Sequence, residues 1–151
     1  MTIVPVQKAD HPRLLAIWEA SVRATHDFLS EAEIQVLKPL LLHEYLDAVD
    51  LAAVREASGS LVGFLGTLDR KIEMLFVAPE RRGEGVGRLL VEHAVDRLGC
   101  DSVDVNERNP QALGFYLRMG FRVAARSERD GQGNPHPLLH LTLADVGSVD
   151  G

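Results

Sequence analysis

Between Ile72 and Leu90 the chain reads I-E-M-L-F-V-A-P-E-R-R-G-E-G-V-G-R-L-L. Gly83, Gly85 and Gly87 stand at alternate positions between a strand-like run and a helix-like run, with Arg81, Arg82 and Arg88 around them. Closely spaced glycines let successive backbone N–H groups turn toward one point, and a helix starting there adds the positive end of its dipole. The arginines supply charge-assisted donors. An anion the size of a diphosphate suits this arrangement. A phosphate loop of the G-x-x-x-x-G-K-[S/T] kind is absent, and a dinucleotide fingerprint would need a third glycine where Leu89 or Leu90 stands. Taken alone, the segment also reads as a strand-to-helix turn with surface arginines.

A second chemical segment follows: V103-D-V-N-E-R-N-P-Q-A-L-G-F-Y-L-R-M-G-F121. Asn109 suits a helix cap, Pro110 suits the first helical position, and Gly120 ends the helix after Met119. Tyr116 on this helix carries a titratable phenol and can equally pack beside Phe115 and Phe121. The remaining reactive types offer less. Cys100 is the only cysteine, which excludes an internal disulfide framework and multi-cysteine zinc patterns and leaves a small packed residue. His136 and His140 have i, i+4 spacing, but Pro135 and Pro137 forbid the helix that would bring them together on a metal, so they read as turn and strand residues. No metal is expected. His93 falls at the rim of a packed helix face.

The elements that must position these residues follow from periodicity. Thr2 to Gln7 reads as a short edge strand containing Pro5. Asp10 caps a helix over Leu14, Leu15, Ile17, Trp18, Ser21 and Val22. Ser30 and Glu33 form a capping-box pair for a second helix through Ile34, Leu37, Leu41 and Tyr45, which Pro39 should kink or break. Strands are expected over Leu51 to Glu56, Leu61 to Leu68 and Ile72 to Val77, with turns at Ser58-Gly59-Ser60 and Asp69-Arg70. Gly85 to Leu98 is helical, Ser102 to Val105 a strand, and the helix after Asn109 precedes strands Phe121 to Glu128 and Leu138 to Leu143. Residues 144–151 have little to bury and should fray.

This order, strands first consecutive and then alternating with helices, predicts an α/β (α+β) fold: a mixed, mostly antiparallel sheet of six to seven strands flanked by about four helices. The 151 residues suit one domain over 1–143 with a C-terminal tail. Hydrophobic residues at 46% and charged ones at 25% are the balance of a globular protein. A net charge of −6 disfavours nucleic acid as a partner, since such binding rests on clustered cations. No membrane span or signal peptide is legible, so a cytoplasmic monomer or homodimer is expected.

Together, Arg82-x-x-Gly85-x-Gly87 and Asn109-x-x-Ala112-x-x-Phe115-Tyr116-x-x-x-Gly120-Phe121 resemble the two central motifs of the GNAT superfamily of N-acetyltransferases, and the order of elements is similar along nearly the whole chain. The outer segments A-T-H-D-F-L-S at 24 to 30 and R-S-E-R-D-G-Q-G-N-P-H-P-L-L at 126 to 139 resemble a small bacterial branch of YjaB type. The resemblance implies acetyl-CoA as cosubstrate, held where strands 72–77 and 102–106 splay apart. The main chain of Leu75, Phe76 and Val77 would meet the pantetheine. The turn comprising Arg82, Gly83, Gly85, Val86, Gly87 and Arg88 would meet the diphosphate, with Asn109, Ala112 and Tyr116 completing the cofactor side. Transfer to a primary amine of a small molecule or peptide would be direct, without an acyl-enzyme.

Within that frame a backbone N–H near Leu75 or Phe76 polarises the thioester carbonyl. Tyr116 falls at the family's general acid, and a phenol of ordinary pKa near 10 can donate to a departing thiolate. Glu73, on the strand face of Leu75 and Val77, is the candidate base, direct or through water that Asn106 orders. Its bland alternative is a solvated strand residue beside Lys71. His26 and Asp27 would line the acceptor side, or simply cap the chain between the first two helices. A non-catalytic acyl-CoA-binding regulator is the alternative function, and the intact Tyr116 and Asn109 favour the enzyme.

Overall fold

Leu14, Ile17, Trp18, Ser21 and Val22 recur at helical spacing, and they are the buried stripe of α1 (His11–Thr25). The computed structural model describes residues 1–25 and 29–143. The chain divides into two compact units, Met1–Cys100 and Asp101–Gly151. Among the described residues there are seven strands and four α-helices, as the element order predicts.

The first unit is a four-stranded antiparallel sheet in the order β1 (Thr2–Pro5), β2 (Asp50–Arg55), β3 (Leu61–Leu68), β4 (Lys71–Val77). β1 stops at Pro5 rather than Gln7, because Gln7 instead starts a short turn at Lys8–Asp10. Asp10 does not cap α1. It lies inside that turn and accepts from the Gln7 backbone N–H at 2.9 Å. The Ser30–Glu33 capping box does form at the start of α2 (Glu31–Leu40), with Glu33 N–H donating to Ser30 Oγ at 3.1 Å and Ser30 N–H to Glu33 Oε1 at 3.0 Å. The regular α-helix ends one residue after Pro39, and no second α-helix follows it directly. Lacking an N–H, Pro39 loosens the ladder, and the helix continues as a π turn over Leu41–Tyr45 and a short turn over Leu46–Ala48.

One sheet face carries Ala53 and Phe64, which join Leu14, Ile17, Trp18, Val22, Ile34, Leu41 and Leu46 in a single buried cluster. Each of the Leu, Ile, Val and Phe side chains contributes roughly 1.5–3 kcal/mol on burial. The other face receives α3 (Val86–Asp96) through its buried Val86, Leu90, Val91 and Ala94. The approach is close: a Cβ on Gly63 of β3 would lie 2.7 Å from Val86 Cγ1. β3 and β4 join through Asp69 and Arg70, both at positive φ (49° and 67°), a two-residue hairpin turn that Arg70 braces by donating from Nε to the Gly99 carbonyl at 3.0 Å.

The second unit is a three-stranded antiparallel sheet with β7 (Leu138–Leu143) between β5 (Ser102–Asn106) and β6 (Phe121–Ser127). Alternation puts Val103, Val105, Leu141 and Phe121 on one face, and all four are buried. α4 (Pro110–Arg118) packs there, Tyr116 meeting Phe121 edge-on with ring centroids 5.6 Å apart. Cys100, at the end of the first unit, is buried and forms no disulfide.

Candidate active site

The glycine-rich turn has the backbone that anion capture requires. After a short turn at Pro79–Arg81, Gly83 and Gly85 take φ of 78° and 87°, the left-handed region that side chains disfavour. A Cβ at either position would meet nothing within 4 Å, so backbone conformation rather than packing demands glycine, and the surrounding space stays open. Gly87 differs, lying inside the first turn of α3. The helix ladder begins with Leu89 N–H to Gly85 C=O at 3.0 Å, which leaves the N–H groups of Val86, Gly87 and Arg88 ahead of it. Val86 is buried against the sheet and anchors that end.

The arginines divide by partner. Arg81 pairs with Glu56 at 2.6 Å and so ties the turn to the β2–β3 hairpin. Arg88 makes a loose contact with Glu92 at 3.4 Å, both exposed. Arg82 is exposed and makes no side-chain bond among the described residues, which leaves its guanidinium available for an anion. Two open positive-φ glycines, three N–H groups and a free guanidinium fit a diphosphate.

β4 supplies the second element. Ala78 N–H donates to the Val62 carbonyl of the β3 side at 2.9 Å. Successive N–H groups alternate between strand edges, so Phe76 also points toward β3 while Leu75 and Val77 point their N–H and C=O to the other edge. Of the two residues expected to polarise a carbonyl, Leu75 is therefore the one with its N–H directed away from β3. The side chains of Leu75 and Val77 share the α3 face with Gly63 and Leu65.

Glu73 departs from the expected geometry. Along β4, Met74 pairs with Gly66 but Ile72 pairs with Thr67, so Glu73 is the extra residue of a β-bulge. A bulge turns two consecutive side chains to one side. Glu73 thus joins Met74 and Phe76 rather than Leu75 and Val77, and lines a cavity of about 410 Å³ with them. Trp18 of α1, Leu37 of α2, and Leu41 and Tyr45 of the π turn form other parts of its wall. The cavity is predominantly apolar with one carboxylate. Sequence reasoning missed Trp18, Leu37, Leu41 and Tyr45 as cavity residues. The signals were Pro39 inside a helix and Gly66 inside a strand, both marks of irregular backbone.

Tyr116 is buried between Phe115 and Phe121, with ring centroids 5.1 and 5.6 Å away. Desolvation pushes its phenol well above the ordinary value of 10, so it holds its proton throughout the working pH range. Asn109 caps α4, Ala112 N–H donating to its Oδ1 at 3.2 Å, and is buried. Asn106 is less free than expected. Its Oδ1 accepts from Arg108 N–H at 2.9 Å and its carbonyl from Asn109 N–H, which shapes the loop into α4 and leaves only the amide N–H groups for another partner. His26 and Asp27 lie outside the described residues. Three or more metal-ligating side chains cluster nowhere among the described residues, and no described helix is long and apolar enough to cross a membrane.

A phosphate-type turn opening a helix, a strand that turns Leu75 and Val77 N–H groups away from β3, and an apolar cavity bearing a carboxylate fit an acyltransferase of the acetyl-CoA-dependent class. The family model described as acetyltransferase (GNAT) domain matches residues 49–123. The chain is 43% identical over 129 residues to the peptidyl-lysine N-acetyltransferase YjaB of Salmonella typhimurium, covering 85% of this chain and 88% of that protein. It is 41% identical over 142 residues to YjaB of Escherichia coli, covering 92% and 96%. The solution structure of the apo form of that E. coli protein superposes with a TM-score of 0.85 at 39% identity, covering 95% of this chain and 97% of the other. The chain belongs to the GNAT acetyltransferases, and it moves an acetyl group from acetyl-CoA to an amine.

Proposed function

We propose that the acceptor is the side-chain amine of a lysine in a peptide or protein. The observation that carries this reading is the cavity beside the bulge in β4, apolar along Trp18, Leu41, Tyr45, Met74 and Phe76 and bearing the single carboxylate of Glu73. Lysine has the matching outline, a four-carbon stem that gains from apolar contact and an ammonium that gains from a carboxylate. The relatives named as peptidyl-lysine N-acetyltransferases support the same class.

In this mechanism Arg82 and the N–H groups at the start of α3 bind the diphosphate, and the edge of β4 at Leu75 and Val77 aligns the pantetheine. The Leu75 N–H polarises the thioester carbonyl. Glu73 first holds the ammonium and then takes its proton, directly or through water, so that the free amine attacks. Tyr116 donates to the departing thiolate. Asn109 and Ala112 set the first turn of the helix that carries Tyr116, and Asn106 sets the loop before it. The match to the family model runs through the boundary at residue 100, which supports one acetyltransferase domain over 1–143.

Blocked peptides whose single amine sits on side chains of one to four methylenes test the acceptor. kcat/KM should rise with stem length and peak at lysine, about 0.8 kcal/mol or fourfold per buried methylene. Equal rates along the series, or preference for a free amino terminus, would overturn the lysine assignment.

A further inference from the structure

On β5, β6 and β7 three side chains that the acetyl-transfer mechanism does not use form a bonded chain. His140 Nδ1 lies 2.6 Å from Asp104 Oδ1, and His140 Nε2 lies 2.6 Å from Ser127 Oγ. A carboxylate only accepts, so Nδ1 carries the proton that Asp104 holds. In the neutral ring Nε2 is then the acceptor, and the Ser127 hydroxyl donates to it. This is the connectivity in which a histidine, oriented by an acid, withdraws the proton of a serine.

Backbone register creates the arrangement. Asp104 stands opposite His140 across β5 and β7, and His140 stands opposite Ala125 across β7 and β6. A bulge at Ala124 sets that last pairing, since Val123 pairs with Leu141 and Ala125 with His140. Without the extra residue Ala124 would face His140, and Arg126 rather than Ser127 would share its face. Alternation puts this face opposite the one that α4 covers, because Val103, Leu141 and Phe121 point the other way. The site is within reach of solvent, with the His140 side chain 34% and the Asp104 side chain 24% exposed. Ser127 ends its strand beside the turn at residues 130–134, as an attacking group reachable by substrate requires.

We propose that Asp104, His140 and Ser127 form a second catalytic site, in which Ser127 is a nucleophile toward small carboxylic esters. Ser127 Oγ bonds to the ester carbonyl carbon as its proton passes to His140 Nε2. The bond from that carbon to the alkoxy oxygen breaks, and His140 returns the proton to the departing alkoxide, leaving an acyl-Ser127 ester. Water then attacks the same carbon with His140 as base, releasing a carboxylic acid and restoring the serine. Asp104 keeps the Nδ1 tautomer throughout.

The probes are a fluorophosphonate, which labels only activated serines, and p-nitrophenyl acetate, with intact mass and peptide mapping as readouts. Wild-type protein should carry one phosphonyl adduct at Ser127 and release p-nitrophenol. Both should vanish in Ser127→Ala, and the labelling rate should fall about 10²-fold or more in His140→Gln. Acetyl transfer from acetyl-CoA to a lysine peptide should persist in Ser127→Ala, which certifies the fold and separates the two sites. Absence of label on wild-type Ser127, or equal labelling of wild type and His140→Gln, would overturn the proposal. The wild-type measurement decides even if a variant fails to fold.

Discussion

Glu73 lines the same cavity as Tyr45, although one comes from the bulge in β4 and the other from the π turn behind Pro39. Both elements are departures from regular hydrogen bonding, and the bulge turns Glu73 off the face that strict alternation gives it, toward the face that Leu37, Leu41 and Tyr45 share at helical spacing. In the proposed mechanism the acceptor carboxylate therefore depends on a local irregularity in an otherwise ordinary strand.

If Glu73 takes the proton of the amine, Glu73→Gln should lower kcat/KM by roughly 10² or more, because the amide keeps the shape and loses the base. The loss should shrink as pH rises toward the lysine pKa near 10.4, where free amine needs no help. A pH–rate comparison of the two proteins checks this, and a loss uniform across pH would assign Glu73 to positioning instead.

Tyr116→Phe keeps the edge-on packing against Phe115 and Phe121 and removes only the hydroxyl. kcat should fall roughly 10²- to 10⁴-fold while acetyl-CoA affinity stays within a few-fold. Because burial raises the phenol pKa, ionisation of Tyr116 adds no alkaline limb to the wild-type profile below about pH 10. Turnover near wild type would leave Tyr116 a packing residue.

Gly85→Val asks a β-branched residue to take a φ of 87° with open space around it. The turn should reorganise and acetyl-CoA affinity fall by more than tenfold, about 1.4 kcal/mol, as calorimetry on the folded variant would register. Unchanged affinity would sink the diphosphate assignment.

Arg23 binds Glu31 through two bonds, at 2.7 and 3.0 Å, and also contacts Glu19, linking the end of α1 to the start of α2. The Arg23 hydrogen bond is the main reason that Glu31 is held down to about 2 from an ordinary 4.5. A depressed carboxylate pKa stabilises above the unfolded value and loses that contribution as pH falls from about 4.5 toward about 2. An NMR titration of the Glu31 carboxyl should show a midpoint near the lower figure, and Arg23→Ala should return it toward the ordinary one.

Local chemistry alone was enough for much of this protein. Ser30 and Glu33 announce a helix start because a capping box closes within one turn, and Gly83 and Gly85 announce a strand-to-helix turn because positive φ is a property of the residue itself. The helix carrying Tyr116, the Asn109 cap and the conformation of the glycine turn were legible because each is set within its own short segment.

Register and irregular backbone were decided by tertiary structure. Nothing in the spacing of Glu73, Leu75 and Val77 reveals that Glu73 is the unpaired residue of a bulge, since the shift exists only relative to Gly66 and Thr67 on β3. Trp18, Leu41 and Tyr45 read as helix-core positions, and only the tertiary packing shows that they border a cavity with Glu73, Met74 and Phe76 of β4. Asp104, Ser127 and His140 sit on three strands and meet only because the bulge at Ala124 selects which face Ser127 occupies. A one-residue slip moves every side chain of a strand to the other face, and the pairing that fixes it belongs to two strands at once rather than to either sequence.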